Sequence, residues 1–168
     1  DKSVWVICNG EIYNFRELKK DLSRRHRFYT KTDVEVIVHL YEEYGTGCLE
    51  YLRGMFAFAL WDERKNRLFL ARDRLGQKPL YFLKNRDGFY FASEIKSFLK
   101  VPGFSKDINL SAINYYLVYQ YIPSPMTIWQ DVARLEPASY MLVDKSGGVK
   151  KRRYWEVDLR KKTSMSAP

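Results

Sequence analysis

The sequence predicts an α+β fold in which antiparallel sheets are layered against amphipathic helices. Three observations carry that expectation. Apolar strand runs follow one another across short polar or glycine-containing turns. Three other segments repeat their apolar residues at helical spacing behind cap signals. The 168 residues are 46% hydrophobic and 16% aromatic, enough for one substantial core and too few for two independent ones.

The first strand is Val4-Trp5-Val6-Ile7-Cys8, ending at Asn9-Gly10-Glu11. Alternation puts Cys8 on one face with Val4 and Val6, opposite Asn9. Asn14 with Glu17 reads as a capping box, and Phe15, Leu18 and Leu22 then share a helix face. Thr32 with Glu35 reads as a second box. It opens a helix that turns Val34, Ile37, Val38, Tyr41 and Tyr44 inward and stops at Gly45. Residues 55–61 are apolar on both faces, as suits a strand between two layers. Residues 68–72 return across a charged turn as a hairpin. Residues 80–83 and 89–92 flank Asn85-Arg86-Asp87-Gly88 as a second hairpin. A third helix is predicted over 111–120, with Ile113, Tyr115, Tyr116, Leu117 and Tyr119, before Pro123 and Pro125. Residues 139–143 and 149–157 form a third hairpin around Lys145-Ser146-Gly147-Gly148. The domain is assigned to residues 1–157, and 158–168 reads as linker or tail.

Composition narrows the function. No apolar run is long enough to span a bilayer, and the opening Asp1-Lys2-Ser3 is no signal peptide. Cys8 and Cys48 have no metal-ligand spacing and form no disulfide framework. Both read as core residues of a cytoplasmic protein. The net charge of +9 invites a nucleic-acid reading. Its clusters, Lys19-Lys20, Arg24-Arg25, 150–153 and 160–162, are joined by no recognition-helix or RNA-binding motif. A solvated surface, or a face toward an acidic partner domain, accounts for them better. His26 and His39 read as structural, and no metal site is expected.

Asn9, Gly10 and Glu11 are the candidate site. An amide N–H, a glycine that admits close backbone approach and a carboxylate suit a ligand with a carbonyl to polarise and an amine to hold. The competing reading is a strand-turn-helix junction with a helpful glycine.

Five stretches in series resemble the glutamine amidotransferase domain of glutamine-hydrolysing asparagine synthetases. They are Asn9-Gly10-Glu11-Ile12-Tyr13-Asn14, Thr32-Asp33-Val34-Glu35-Val36-Ile37, residues 53–62 from Arg53-Gly54-Met55 to Asp62, residues 71–81 around Arg72-Asp73-Arg74-Leu75-Gly76, and Phe91-Ala92-Ser93-Glu94-Ile95-Lys96. Weaker echoes follow at residues 121–125 and 153–155. The resemblance covers nearly the whole chain in order. It implies a four-layer αββα sandwich of the N-terminal-nucleophile hydrolase type, incomplete at its N-terminus. It implies a chemistry in which an N-terminal cysteine thiolate attacks the side-chain amide of glutamine, with the α-amino group as base. Ammonia released from the thioester step then serves the ATP-dependent amidation of aspartate in a second domain.

Residue by residue, the resemblance assigns Asn9 and Gly10 to the oxyanion hole, and Glu11 and Asp33 to the glutamine amino group. For Asp33 a second reading stays open, since an acid in a first helical turn stabilises the dipole without any ligand. Arg72, Asp73, Arg74 and Lys78 read as a structural polar network. The chain opens at Asp1, after the position of the family's cysteine and its carboxylate-gripping arginine, and is expected to be hydrolytically inactive as it stands. Ser146-Gly147-Gly148 echoes a pyrophosphate loop, but a hairpin turn fits better because Lys150 and Lys151 follow. No cofactor is expected in this chain; ATP and Mg belong to the absent synthetase domain. The expected partners are glutamine and that domain, with a homodimer left open and neither nucleic acid nor membrane. A non-hydrolytic amidotransferase-like scaffold is the alternative.

Overall fold

A computed structural model describes residues 3–158; all but the first residue of the expected 158–168 linker lies outside them. The chain runs β1 (Val4–Ile12), α1 (Phe15–Leu22), α2 (Glu35–Tyr44), α3 (Cys48–Tyr51), β2 (Gly54–Asp62), β3 (Arg67–Arg72), β4 (Tyr81–Lys84) and β5 (Phe89–Ala92). A 3-10 helix (Ile95–Lys100), α4 (Leu110–Tyr119), β6 (Val132–Arg134), β7 (Ser139–Asp144) and β8 (Val149–Arg153) complete it. The strands make two antiparallel sheets, β1-β2-β3-β7-β8 and β5-β4-β6. No helix among the described residues is long and apolar enough to cross a membrane.

Strand alternation builds the layers. Phe56, Phe58, Leu60 and Phe69 point to one side of the larger sheet and meet Leu22, Val36, Ile37, Leu40 and Tyr41 from α1 and α2. Ala57, Ala59, Leu70, Met141 and Val143 point to the other side and meet Leu80 and Leu135 beside the smaller sheet. The outer face of the smaller sheet buries Leu83 and Val132 against Phe98 of the 3-10 helix. The order is therefore helices, sheet, sheet, then a thin helical cover. β2 is buried on both faces, as residues 55–61 predict, because it sits inside the first two cores.

Two expected capping boxes are replaced by longer-range bonds. The Asn14 amide donates to Tyr51 O (2.9 Å) and accepts from Arg53 N (3.0 Å), so it ties the start of α1 to the α3–β2 connection. The Glu35 carboxylate accepts from Tyr29 N and Thr30 N, both at 2.7 Å, and clamps the loop before α2. α4 forms where expected, capped by Asn109, whose side chain accepts from Ala112 N. Its packing differs from a core helix: only Ala112 is buried, and Leu110, Tyr116, Leu117 and Val118 are exposed.

The polar hub between the sheets lies at the end of β3. Arg72 is buried and donates to Lys78 O, Leu135 O and Gly76 O, each at 2.6 Å. Asp73 is buried beside it and accepts from Phe56 N, Leu75 N, Gln77 N and Lys78 N. Burial pushes the Arg72 guanidinium down and Asp73 pushes it back up, so its charge is retained by that neighbour and three carbonyls. Gly76 has a φ of +68°, and a Cβ there would meet Pro137 at 2.7 Å and the Arg72 guanidinium at 3.0 Å. The network is structural, as the sequence reading has it. Arg72→Met should lower the unfolding free energy by about 3–5 kcal/mol, because it strips three carbonyls of their donor and leaves Asp73 buried without a cation. A urea titration measures the shift, and a midpoint unchanged from wild type would refute the hub.

Candidate active site

The sequence reading ends the first strand near Cys8. The ladder instead continues, with Asn9 opposite Ala57, Gly10 opposite Phe56 and Glu11 opposite Met55. The candidate site is thus strand backbone, more rigid than a turn. Val4, Val6 and Cys8 pack toward the helices, while Trp5, Ile7, Asn9 and Glu11 are exposed on the opposite face, as alternation predicts.

Gly10 has a reason beyond flexibility. Its φ is +145°, and a Cβ would lie 2.0 Å from Met55 O. Its backbone direction follows from its partner. Phe56 donates N–H to Asp73 and offers its carbonyl to Asp73 N, so its polar groups face away from β1. Gly10, the residue opposite, therefore turns its own N–H to the free edge of β1. Ile12, two residues on, confirms the alternation: its N–H leaves that edge and reaches Asp33 Oδ2 at 2.7 Å.

Asp33 thus does more than sit at a helix start. It fixes α2's entrance to the end of β1, and a groove of about 610 Å³ is lined by Glu11, Ile12, Tyr13, Arg16, Lys31 and Asp33. The two acidic candidates share this groove. Asn9, two residues before Glu11 on β1, lines a separate cavity of about 200 Å³ with Cys8, Ala57, Leu80, Phe91 and Ser93. Phe91 and Ser93 come from the fifth matched stretch, whose place beside Asn9 the sequence did not reveal because β5 belongs to the other sheet. All four candidates therefore gather along one strand and its open edge. That edge offers N–H donors and an amide at one end and carboxylates at the other. Such a surface can stabilise a developing oxyanion and hold an ammonium group.

The other expectations resolve as follows. Burial pushes both the Cys8 and the Cys48 thiols up to about 12, with Asp33 adding to the effect at Cys8. Ser146 Oγ and Gly148 N both bond Asp144 Oδ1, at 2.6 and 2.8 Å, so this segment is a closed hairpin turn between β7 and β8. His26 and His39, which the sequence treats singly, have ring centroids 4.6 Å apart.

The fold and the comparisons define a class, the glutamine amidotransferase domains. The sheets superpose on the glutamine phosphoribosylpyrophosphate amidotransferase of B. subtilis, complexed with ADP and GMP, with a TM-score of 0.65 at 22% identity. That match covers 90% of this chain and 29% of the other. A glutamine aminotransferase class-II domain protein from Silicibacter pomeroyi aligns with a TM-score of 0.57 at 15% identity, over 94% of this chain and 70% of its own. Residues 1–155 match the profile of the glutamine amidotransferase domain, and the chain belongs to that family. It is 38% identical to asparagine synthetase [glutamine-hydrolyzing] 3 of Bacillus subtilis (strain 168) over 160 residues, 94% of this chain and 26% of that protein. It is 50% identical to asparagine synthetase [glutamine-hydrolyzing] 2 of the same organism over 109 residues, 65% of this chain and 14% of that protein. A putative asparagine synthetase of Methanocaldococcus jannaschii is 37% identical over 92% of this chain and 30% of its own length. The chain spans 25–30% of the length of relatives that it matches almost end to end.

The thiol environment sets one expectation. With its pKa raised to about 12, Cys8 is protonated at neutral pH, and its alkylation by iodoacetamide in the folded chain should stay slow up to about pH 9. A rate at pH 8 equal to that of the urea-unfolded chain would show an accessible thiolate instead.

Proposed function

We propose that this chain is the glutamine-binding and ammonia-releasing part of an asparagine-synthetase-like enzyme. The observation that carries the reading is the open edge of β1. There the Gly10 N–H points outward beside Asn9, and Asp33 is anchored two residues away at Ile12. A glutamine laid along the edge would place its side-chain amide near Gly10 and Asn9 and its ammonium near Glu11 and Asp33. As a nucleophile adds to the amide carbon, the carbonyl oxygen gains charge, and the two N–H donors stabilise it where it forms. The ammonium contacts hold the substrate equally in ground and transition states, so they govern binding.

Neither cysteine of these 168 residues is suited to supply the nucleophile: Cys48 is buried in the helix-side core, half-buried Cys8 packs against it, and burial holds both thiols protonated. The attacking thiolate and the base belong, in this reading, to the family's N-terminal cysteine, and the chain by itself is inactive. ATP, Mg²⁺ and aspartate belong to the synthetase part that the relatives' greater length accommodates. The exposed apolar face of α4 suits contact with that part, since Leu110, Leu117 and Val118 are otherwise left in water. A non-hydrolytic scaffold would need no carboxylate pair in a groove beside an outward N–H, and the retained Glu11 and Asp33 favour hydrolysis.

In the complete enzyme, Asn9→Ala should lower kcat for glutamine hydrolysis by about 10²–10³ with a small change in KM. Its melting temperature should hold, because Asn9 is exposed on the strand. Unchanged kcat with a lower melting temperature would make Asn9 a structural residue. Asp33→Asn separates the two roles of that carboxylate. The amide oxygen can still accept from Ile12 N, so the fold should persist. The lost charge should weaken glutamine binding by about 1–3 kcal/mol while ammonia-dependent synthesis is spared. A parallel fall in both rates would reduce Asp33 to a structural clamp.

A further inference from the structure

A second cluster lies away from β1's open edge, where α2 meets the loop after α1. His39 Nδ1 is 2.9 Å from Glu42 Oε2, and His26 Nδ1 is 3.4 Å from the same oxygen. The far nitrogens also face carboxylates: His26 Nε2 is 3.0 Å from Glu43 Oε1, and His39 Nε2 is 3.7 Å from Glu35 Oε1. His39 is 9% exposed, and its Nε2 is buried without a hydrogen-bond partner.

His26 therefore has a carboxylate oxygen against both nitrogens, and His39 has one against Nδ1 and an unbonded Nε2. A neutral ring has one proton to offer: on His26 one nitrogen then faces a carboxylate lone pair to lone pair, and on His39 a proton on Nδ1 leaves Nε2 a bare lone pair while a proton on Nε2 sets Nδ1 against Glu42. Either a second proton on each ring or a shared cation removes that conflict. Two protons would put two imidazolium rings 4.6 Å apart and tilted by only 34°, with Arg25 already bound to Glu43 at 2.6 and 2.8 Å. Those three positive charges would be matched by Glu35, Glu42 and Glu43, so two protons and one divalent ion balance the same carboxylates. One divalent ion seated between the two Nδ1 atoms and Glu42 Oε2 answers all three lone pairs at once.

We propose that His26, His39 and Glu42 form a binding site for a divalent transition-metal ion of the zinc type. The three ligating atoms lie within 4.8 Å of one another. Tetrahedral ligands at zinc's bond lengths sit about 3.3 Å apart. The His26–Glu42 separation meets that value, the His39–Glu42 pair needs a few tenths of an ångström more, and the widest separation in the set, within 4.8 Å, closes by rotation of side chains around the exposed Glu42. With the ion on both Nδ1 atoms, the Nε2 protons point at Glu35 and Glu43. A carboxylate behind the ring is the outer arrangement of metal-ligating imidazoles: His26 has it in Glu43 at 3.0 Å, and for His39 Glu35 stands 3.7 Å away, close enough to meet a proton on Nε2 after a small shift. Glu35 and Glu43 are themselves held: Glu35 by the 29–30 backbone, and Glu43 by Arg25, which pulls its carboxyl down to about 2. Two histidines and one glutamate leave a fourth position for water. A surface cavity of about 480 Å³, lined by His26, His39, Glu42, Arg25 and Arg27, gives solvent access to it.

The test is titration of the chelator-treated chain with Zn²⁺ by calorimetry and with Co²⁺ by visible absorption. One ion per chain is expected, with a tetrahedral cobalt band and a raised melting temperature. Glu42→Gln changes an exposed side chain and should leave the fold intact while weakening Zn²⁺ at least tenfold; His26→Ala should abolish the cobalt band. Binding that is absent, or that is equal in wild type and Glu42→Gln, overturns the proposal. So does a chain that gains stability on acidification but none from the metal, because the cluster would then be a proton site alone. Asn9 and Asp33 play no part in these readouts, so their outcome is independent of the glutamine reading.

Discussion

The buried charge at Arg72 is the constraint on which the rest of the molecule depends. A guanidinium placed between two sheets must find an oxygen for every N–H or cost several kcal/mol. It finds them at Gly76, Lys78 and Leu135, which precede β4 and follow β6. One side chain at the end of β3 thus fixes the end of the smaller sheet where β4 begins and β6 stops against the larger sheet. Asp73 extends the same hold to Phe56, the strand partner of Gly10. The geometry of the open edge is set from behind, by a polar hub two strands away that touches no ligand. Tyr154 joins from the far end of the chain by donating its hydroxyl to Arg72 O.

Rigidity and chemistry are consequently divided between adjacent strands. β2 is wholly occupied with structure: one face fills the helix-side core, the other the inter-sheet core, and its remaining polar groups are taken by neighbours. β1 has the same backbone on one side only, and its second side is where the candidate groups gather. Side chains on a two-sided strand are positioned by the whole core, so placing Asn9 and Glu11 on β1 gives them orientation without a dedicated support.

Much of this was legible in the sequence, and the gaps have physical causes. The hairpins read correctly because strand alternation and turn residues such as Asn85-Gly88 are local. β6 and the 3-10 helix were missed because three to six residues carry no period; tertiary pairing with β4 and packing on Leu83 make them. The pairs Asn14 with Glu17 and Thr32 with Glu35 carry the local signature of capping boxes, and the structure sends the Asn14 and Glu35 side chains elsewhere. The helical period of α4 was visible, but period cannot say whether a neighbour exists to bury it. At the site, Asn9-Gly10-Glu11 stood out from residue type alone. The Asp33–Ile12 bond, the outward N–H of Gly10 and the histidine pair all depend on which segments fold side by side, which spacing along one chain does not encode.

The two margins of the larger sheet carry opposite instructions. β8, the last strand, is Val149-Lys150-Lys151-Arg152-Arg153, a row of charge that discourages any further strand from joining. β1, the first, exposes Trp5 and Ile7 at 57% and 64% and presents its backbone unpaired among the described residues. Only Asp33, by occupying the N–H of Ile12, blocks that margin, and only at one end. A sheet with one margin sealed and the other welcoming grows in a single direction. Strand addition at β1 is therefore the contact that this edge favours, whether by a partner segment or by a second copy of the chain.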